Sequence, residues 1–283
     1  MDRKGEAPYA KGCFRCRNKT DFRLNEEVEM KLFKLLLIIF FLFVPAVSFA
    51  WGPLTHIYLG NELFSLGALL PAGLVEIIRR YRKDFLYGTL MADIIIGKKY
   101  MPDNKSSHSW EVAFDLMQSA RTDQQKAFVY GYMSHLAADT VAHNTYTVDK
   151  KNIGHTLMEM KADAIIDKRY WLQAIAIDRK TQVRNDLFLE NSLERFMFSF
   201  KTNKRIFKGM VFFSVINQER IGDFIDKRLV TSIPVRSQIE ELHEESLDKI
   251  IDLFQNWESS DVVKINPSGN VYKGKLVKTF LNS

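Results

Sequence analysis

From His135 the chain runs through Leu136, Ala137, Ala138, Asp139, Thr140, Val141 and Ala142 to His143. On a helix, positions i, i+4 and i+8 share one face, each step rising ~6 Å. That face presents an imidazole, a carboxylate and a second imidazole in a row. The surrounding segment, 128–142, is apolar, with Val129, Tyr132, Leu136 and Val141, so the helix is expected to be buried. Charged groups on a buried helix need partners. The fold must therefore bring other groups, or a cation, against this face. An aspartate between two histidines can bridge two metal ions, and carboxylate with imidazole suits Zn²⁺. The alternative is a polar stripe on a helix surface, which the apolar neighbours weigh against.

The rest of the chain supports an all-α reading. The 283 residues are 46% hydrophobic, enough for one sizeable domain. Helical patterns are expected over 54–66, 71–81, 109–120, 122–143, 153–176, 185–200 and 207–224. Ile239, Leu242, Leu247, Ile250, Ile251 and Phe254 give a last amphipathic helix. Residues 85–96 are apolar and open onto a loop over 97–107 that carries Pro102, Asp103 and Asn104. Residues 262–283 contain Pro267, Ser268, Gly269 and Asn270 between short alternating segments, as in a hairpin or a loose tail.

The N-terminal region sets the compartment. Met30, Lys31, Leu32, Phe33 and Lys34 form a short basic lead, followed by an apolar run over 35–44. Pro45 breaks the run, and Ser48 and Ala50 are small residues suited to cleavage before Trp51. This is the layout of a secretory signal, and the run is shorter than the ~20 residues of a spanning helix. The expected product is exported, periplasmic or secreted, with Trp51 as its first residue. Residues 1–29 then read as an upstream extension that is not part of the natural protein, and 30–50 as the signal peptide. Both cysteines, Cys13 and Cys16, lie in that extension, and one CxxC pair makes no four-ligand zinc site. Loss of residues 1–50 takes nine basic and six acidic residues, leaving 31 against 28 and a formal charge of +3. No basic stripe demands a nucleic-acid partner.

Five of the six histidines fall between Trp51 and Glu159, each near another possible ligand. His155 and Glu159 stand at i and i+4 of a helical pattern, and Asp163 continues that face either as a ligand-orienting group or as a solvated one. Asp93 is a lone carboxylate in the apolar run around Gly88, Leu90, Met91 and Ile94, a costly placement without a partner. His108 sits in a loop beside Trp110, and His56 follows the cleavage site by five residues. His243 lies among Glu244 and Glu245 and is expected at the surface.

Taken together, the order and spacing of Trp51, His56, Asp93, His108, His135, Asp139, His143, His155 and Glu159 resemble the zinc-dependent phospholipase C/D family. The likeness covers residues 51 to about 171. It implies a multi-helix phospholipase C/nuclease-like zinc domain over 51–260 and a short irregular or hairpin tail over 261–283. It implies up to three Zn²⁺ ions. The terminal amine and carbonyl of Trp51, with His56 and Asp139, would hold one. Asp93, His108, His135 and Asp139 would hold a second, and His143, His155 and Glu159 a third, more open one. Asp93 would also be the catalytic group that orients or deprotonates the attacking water. The implied substrate is a phospholipid or another phosphodiester, met by transient contact with a membrane surface.

Two departures narrow the implication. Three residues separate Asp139 from His143, which is similar to the phospholipase D branch rather than to the bacterial phospholipases C. The choline-pocket positions of the latter fall near Leu54, Ile94 and Lys105, which are the wrong residue types, so choline specificity does not carry over. Two rival functions follow from the same residues: a single-strand nuclease or nucleotidase, which the near-neutral charge disfavours without excluding, and a non-catalytic, zinc-stabilised envelope binding protein. The residues give no oligomeric state.

Overall fold

The computed structural model describes residues 51–94, 106–143, 159–192, 201–202, 204–205, 207–209 and 236–269. All regular structure among them is helical, as the apolar periodicity implied. The helices are α1 (Pro53–Ser65), α2 (Ala72–Arg80), α3 (Arg82–Met91), α4 (Trp110–Ser119), α5 (Asp123–Val141), α6 (Lys168–Ile175), α7 (Arg179–Ser192) and α8 (Arg236–Asn256). Short 3-10 turns follow α1, α3 and α8. Among the described residues no helix is long and apolar enough to cross a membrane. The expected extension and signal, residues 1–50, lie outside the described residues.

α5 is the axis of the domain. Its N-terminus is set by a capping box, in which Thr122 Oγ1 accepts from Gln125 N and Gln125 Oε1 accepts from Thr122 N. From Ala127 onward nearly every residue of α5 is buried, so the helix is enclosed on all sides rather than amphipathic. It packs most extensively against α3, with α8 as its next largest neighbour, and also meets α1, α2, α4 and α7.

The α3–α5 crossing depends on two glycines. A Cβ at Gly131 would lie 2.0 Å from Phe85 O, and a Cβ at Gly88 would lie 2.0 Å from Phe128 O. The two backbones thus touch where each helix lacks a side chain. This contact sets the register of the residues that follow it, namely Thr89 and Asp93 on one side and His135 and Asp139 on the other.

The structure differs from the sequence reading in three places. The pattern expected over 153–176 is interrupted: a helical stretch over 159–164 ends, and Asp167 starts α6 by accepting from Arg169 N at 2.8 Å. α7 begins six residues before the expected 185, because Asp178 caps it through Thr181 N at 2.9 Å. At the C-terminus, Asp261–Lys264 form a 3-10 turn with Val262 and Val263 buried, and Trp110 Nε1 donates to Ile265 O at 2.9 Å. The first part of the expected tail therefore packs on the helical domain, while 270–283 and the pattern expected over 210–224 lie outside the described residues.

Candidate metal centre

Four elements converge on Asp139. α1 supplies His56, and the 3-10 turn Ala92–Ile94 after α3 supplies Asp93. The loop before α4 supplies His108, and α5 supplies His135 and Asp139. All five side chains are 2% exposed or less, so bulk water does not screen them.

Each side chain has a local reason for its pose. Asp163 fixes the start of α1 from another segment: its carboxylate accepts from Thr55 N and Thr55 Oγ1 at 2.8 Å and from Leu54 N at 3.2 Å. It thereby satisfies N–H groups that a helix start leaves open. Gly52 is required beside it, since a Cβ there would lie 2.3 Å from the Asp163 carboxylate. Tyr132 Oη donates to Ser107 O, and Ser107 Oγ lies 3.2 Å from His108 Nδ1, which pins the His108 loop to α5. His135 Nδ1 lies 2.8 Å from Thr89 O. A carbonyl can only accept, so Nδ1 carries the proton and Nε2 turns its lone pair to the cluster. Thr89 is free to serve because it stands in the last turn of α3, where carbonyls lack ordinary helical donors.

The cluster has the dimensions of a metal cage. One ligand atom each from Asp93, His108, His135 and Asp139 lies within 4.8 Å of every other. His108 Nε2 is 3.2 Å from Asp93 Oδ1, 3.1 Å from Asp139 Oδ2 and 3.2 Å from His135 Nε2. His135 Nε2 is 3.2 Å from Asp139 Oδ2 and 3.7 Å from Asp93 Oδ1. Tetrahedral zinc with bonds of about 2.0–2.1 Å requires ligand–ligand edges of about 3.3 Å. The five edges that involve a histidine bracket that value. Asp139 Oδ1 faces a further imidazole, His56 Nε2 at 3.2 Å, and the His56 ring stacks on His135 at 3.7 Å. Neither oxygen of Asp139 makes an aligned hydrogen bond, although three ring nitrogens approach it. Three imidazoles and two carboxylates converging at these distances form a donor set that a divalent cation would fit.

The electrostatics agree. Burial alone would raise Asp139, but the imidazoles of His135, His108 and His56 hold its carboxyl well below the usual range. Burial alone would lower His135, and the carboxylates of Asp139 and Asp93 raise it instead. Burial, with His135 adding to it, lowers His56 and keeps that imidazole neutral. Asp93 sits at the C-terminal end of α3, where the helix dipole disfavours a carboxylate. A divalent cation in the cage would offset that cost.

The remaining expected ligands are placed less completely. His143 and Glu159 are buried, but among the described residues they fall outside the four-group cluster. His155, their expected companion, lies outside the described residues. Trp51 is fully buried, and its indole Nε1 donates to Ala138 O at 3.1 Å and Ser246 Oγ at 3.2 Å. His243 is not at the surface: it is 2% exposed and packs edge-on against Trp51, with ring centroids 5.0 Å apart. Its sequence context of glutamates misled because those side chains occupy the outer face of α8 while His243 occupies the inner one. Leu54 and Ile94 are core residues, and Lys105 lies outside the described residues. Sequence reasoning did not find Thr89 or Tyr132, because a backbone carbonyl and a loop-pinning hydroxyl leave no residue-type signature.

An all-helical domain with an enclosed two-histidine, two-aspartate cluster has a site that could hold a metal ion. Residues 55–207, more than half of the chain, match the family model described as zinc dependent phospholipase C, and the chain belongs to that family of hydrolases. No curated protein and no solved structure gives a significant match.

Proposed function

We propose that the protein is an exported, zinc-dependent phosphodiester hydrolase that acts on phospholipid head groups, with its chemistry centred on Asp139. The observation that carries this reading is the cage of Asp93, His108, His135 and Asp139, with five of its edges at 3.1–3.7 Å and all ligand atoms within 4.8 Å of one another, in a chain of the zinc-dependent phospholipase C family. Those four residues would hold one ion. Trp51 with His56 and Asp139 would hold a second, and His143, His155 and Glu159 a third. Zinc, when bound, polarises phosphate oxygens and lowers the pKa of bound water toward ~7.

The chain's own residues supply the rest. Thr89 O holds the proton of His135 on Nδ1 and so keeps Nε2 aimed at the cage. Burial excludes competing water from Asp139 and the three imidazoles around it. Asp93 orients the attacking water or takes its proton. The α-amine of Trp51, with an unperturbed pKa of ~8, must be neutral to ligate, so the zinc it holds weakens as pH falls. We take 1–29 as an extension outside the natural protein, 30–50 as the export signal, 51–260 as the zinc domain and 261–283 as its tail.

The test is to assay the exported chain against a panel of phospholipid vesicles and against single-stranded DNA, with products identified by mass. Chelator-sensitive release of a head group or phosphorylated head group supports the reading and gives the cleaved side of the phosphate. Release of nucleotides alone replaces it with the nuclease, and no turnover with zinc bound replaces it with the binding protein.

A further inference from the structure

Trp51 is held in part by a helix that the family match does not contain. Its indole Nε1–H is shared between Ala138 O and Ser246 Oγ, and the second partner is 195 residues away on α8. Ser246 is fully buried and passes its own proton to Leu242 O at 2.8 Å, which aims an oxygen lone pair at the indole. His243, one turn earlier on α8, closes the socket by packing on both the Trp51 and the Tyr58 rings, at 5.0 and 5.5 Å. Ala138 directly precedes Asp139, so the indole is tied to the residue at the centre of the cage. On the other side, Asp163 holds Leu54 and Thr55 and leaves Gly52 no room for a side chain. Trp51, Gly52, Leu54 and Thr55 are thus fixed by Ser246 and His243 of α8, the Ala138 carbonyl of α5 and the Asp163 carboxylate. α8 spans 236–256 and the family match ends at 207.

We propose that Ser246 and His243 are positioning residues for metal binding: α8 forms a socket that seats the Trp51 indole and so sets the backbone of residue 51 beside Asp139 and His56. The proposal rests on the reading of Trp51 as a terminal zinc ligand. It assigns to α8 a role in zinc affinity, in addition to packing.

The experiment uses the full chain, exported and processed, with its first residue read by mass. Five proteins are compared: the natural sequence, Ser246→Ala, His243→Phe, a chain with one methionine inserted between Ala50 and Trp51, and that inserted chain carrying Ser246→Ala. Zinc per chain is measured by elemental mass spectrometry and zinc affinity by chelator competition, with the Trp51 indole N–H followed by NMR. Ser246→Ala removes one oxygen from a helix interior and raises helix propensity, so α8 stays folded. Its expected effect is a shifted Trp51 indole signal and about ten-fold weaker binding of the one zinc that the inserted methionine abolishes, the size typical of groups that orient a ligand. In the inserted-methionine chain, Ser246→Ala should have no further effect on zinc, because the two act through one ligand. If the methionine removes a zinc while Ser246→Ala and His243→Phe leave its affinity unchanged, the socket is overturned and the terminal ligand stands. If the inserted methionine leaves every zinc in place, the terminal ligand is overturned, and the socket's role in metal binding with it.

Discussion

Gly131→Ala offers the sharpest test of how this fold builds its cage. Alanine is the better helix former by about 1 kcal/mol, so propensity alone favours the substitution. Packing opposes it. The new Cβ would lie 2.0 Å from Phe85 O and 2.9 Å from Thr89 N, both backbone atoms that no rotamer change can move aside. Ordinary contact begins at 3.4 Å, so α3 and α5 must part by more than 1 Å locally. Overpacking of this kind costs about 1–3 kcal/mol and occasionally more, so packing wins. The displacement also falls where the metal site is set: Thr89 belongs to α3 and its carbonyl lies 2.8 Å from His135 Nδ1, one turn from the clash. The expected outcome is a drop in melting temperature of about 2–4 °C per kcal/mol lost, together with weaker zinc binding. Thermal unfolding with and without a chelator, plus zinc titration, measures both. Gly73→Ala is the control, since a Cβ at Gly73 meets nothing within 4 Å, and it should leave stability equal or slightly raised. An unchanged or higher melting temperature for Gly131→Ala, with natural zinc affinity, would refute the claim that the glycine contact sets the cage.

Two further outcomes follow from the site. Asp139→Asn keeps the side-chain shape but removes the charge that faces three imidazoles, and it should abolish zinc binding at the cage and with it hydrolysis, read by elemental analysis and by head-group release. Asp163 is pushed up to about 6, burial outweighing its bonds from Thr55 and Leu54. A carboxyl whose folded pKa lies above its unfolded value of ~3.9 binds protons more tightly when folded, so its contribution grows as pH falls through 6 toward 4. In metal-free protein, the stability of the natural chain relative to Asp163→Asn should therefore rise by up to about 3 kcal/mol from pH 7 to pH 4 in urea titrations. A flat difference, or one that falls with acid, would show that burial does not control this group.

Much of this architecture was legible because the cage is written in residue types that resist burial. His135 and Asp139 stand on an apolar helix, and Asp93 interrupts an apolar run. Each is unfavourable alone, and the simplest remedy is a shared cation. Helix positions were readable where apolar spacing and caps coincide, as at Thr122 and Gln125. They differ where a capping aspartate begins a helix ahead of its apolar face, as at Asp178, or breaks a continuous pattern, as at Asp167. His243 was misread because neighbours in sequence describe a helix's outer face as readily as its inner one. The Gly88–Gly131 contact was invisible, since a glycine's role at a crossing appears only when the opposing backbone is in place.

The indole tie between Trp51 and Ser246 spans 195 residues, and the tie from Trp110 to Ile265 spans 155. A chain made from its N-terminus presents His56, Asp93, His108, His135 and Asp139 long before α8 exists. Closing loops of that length carries an entropic cost that only the finished fold repays. Under the proposal made above for Trp51, the metal-binding unit would be complete only once α8 has docked, so its completion is tied to the longest-range of these contacts.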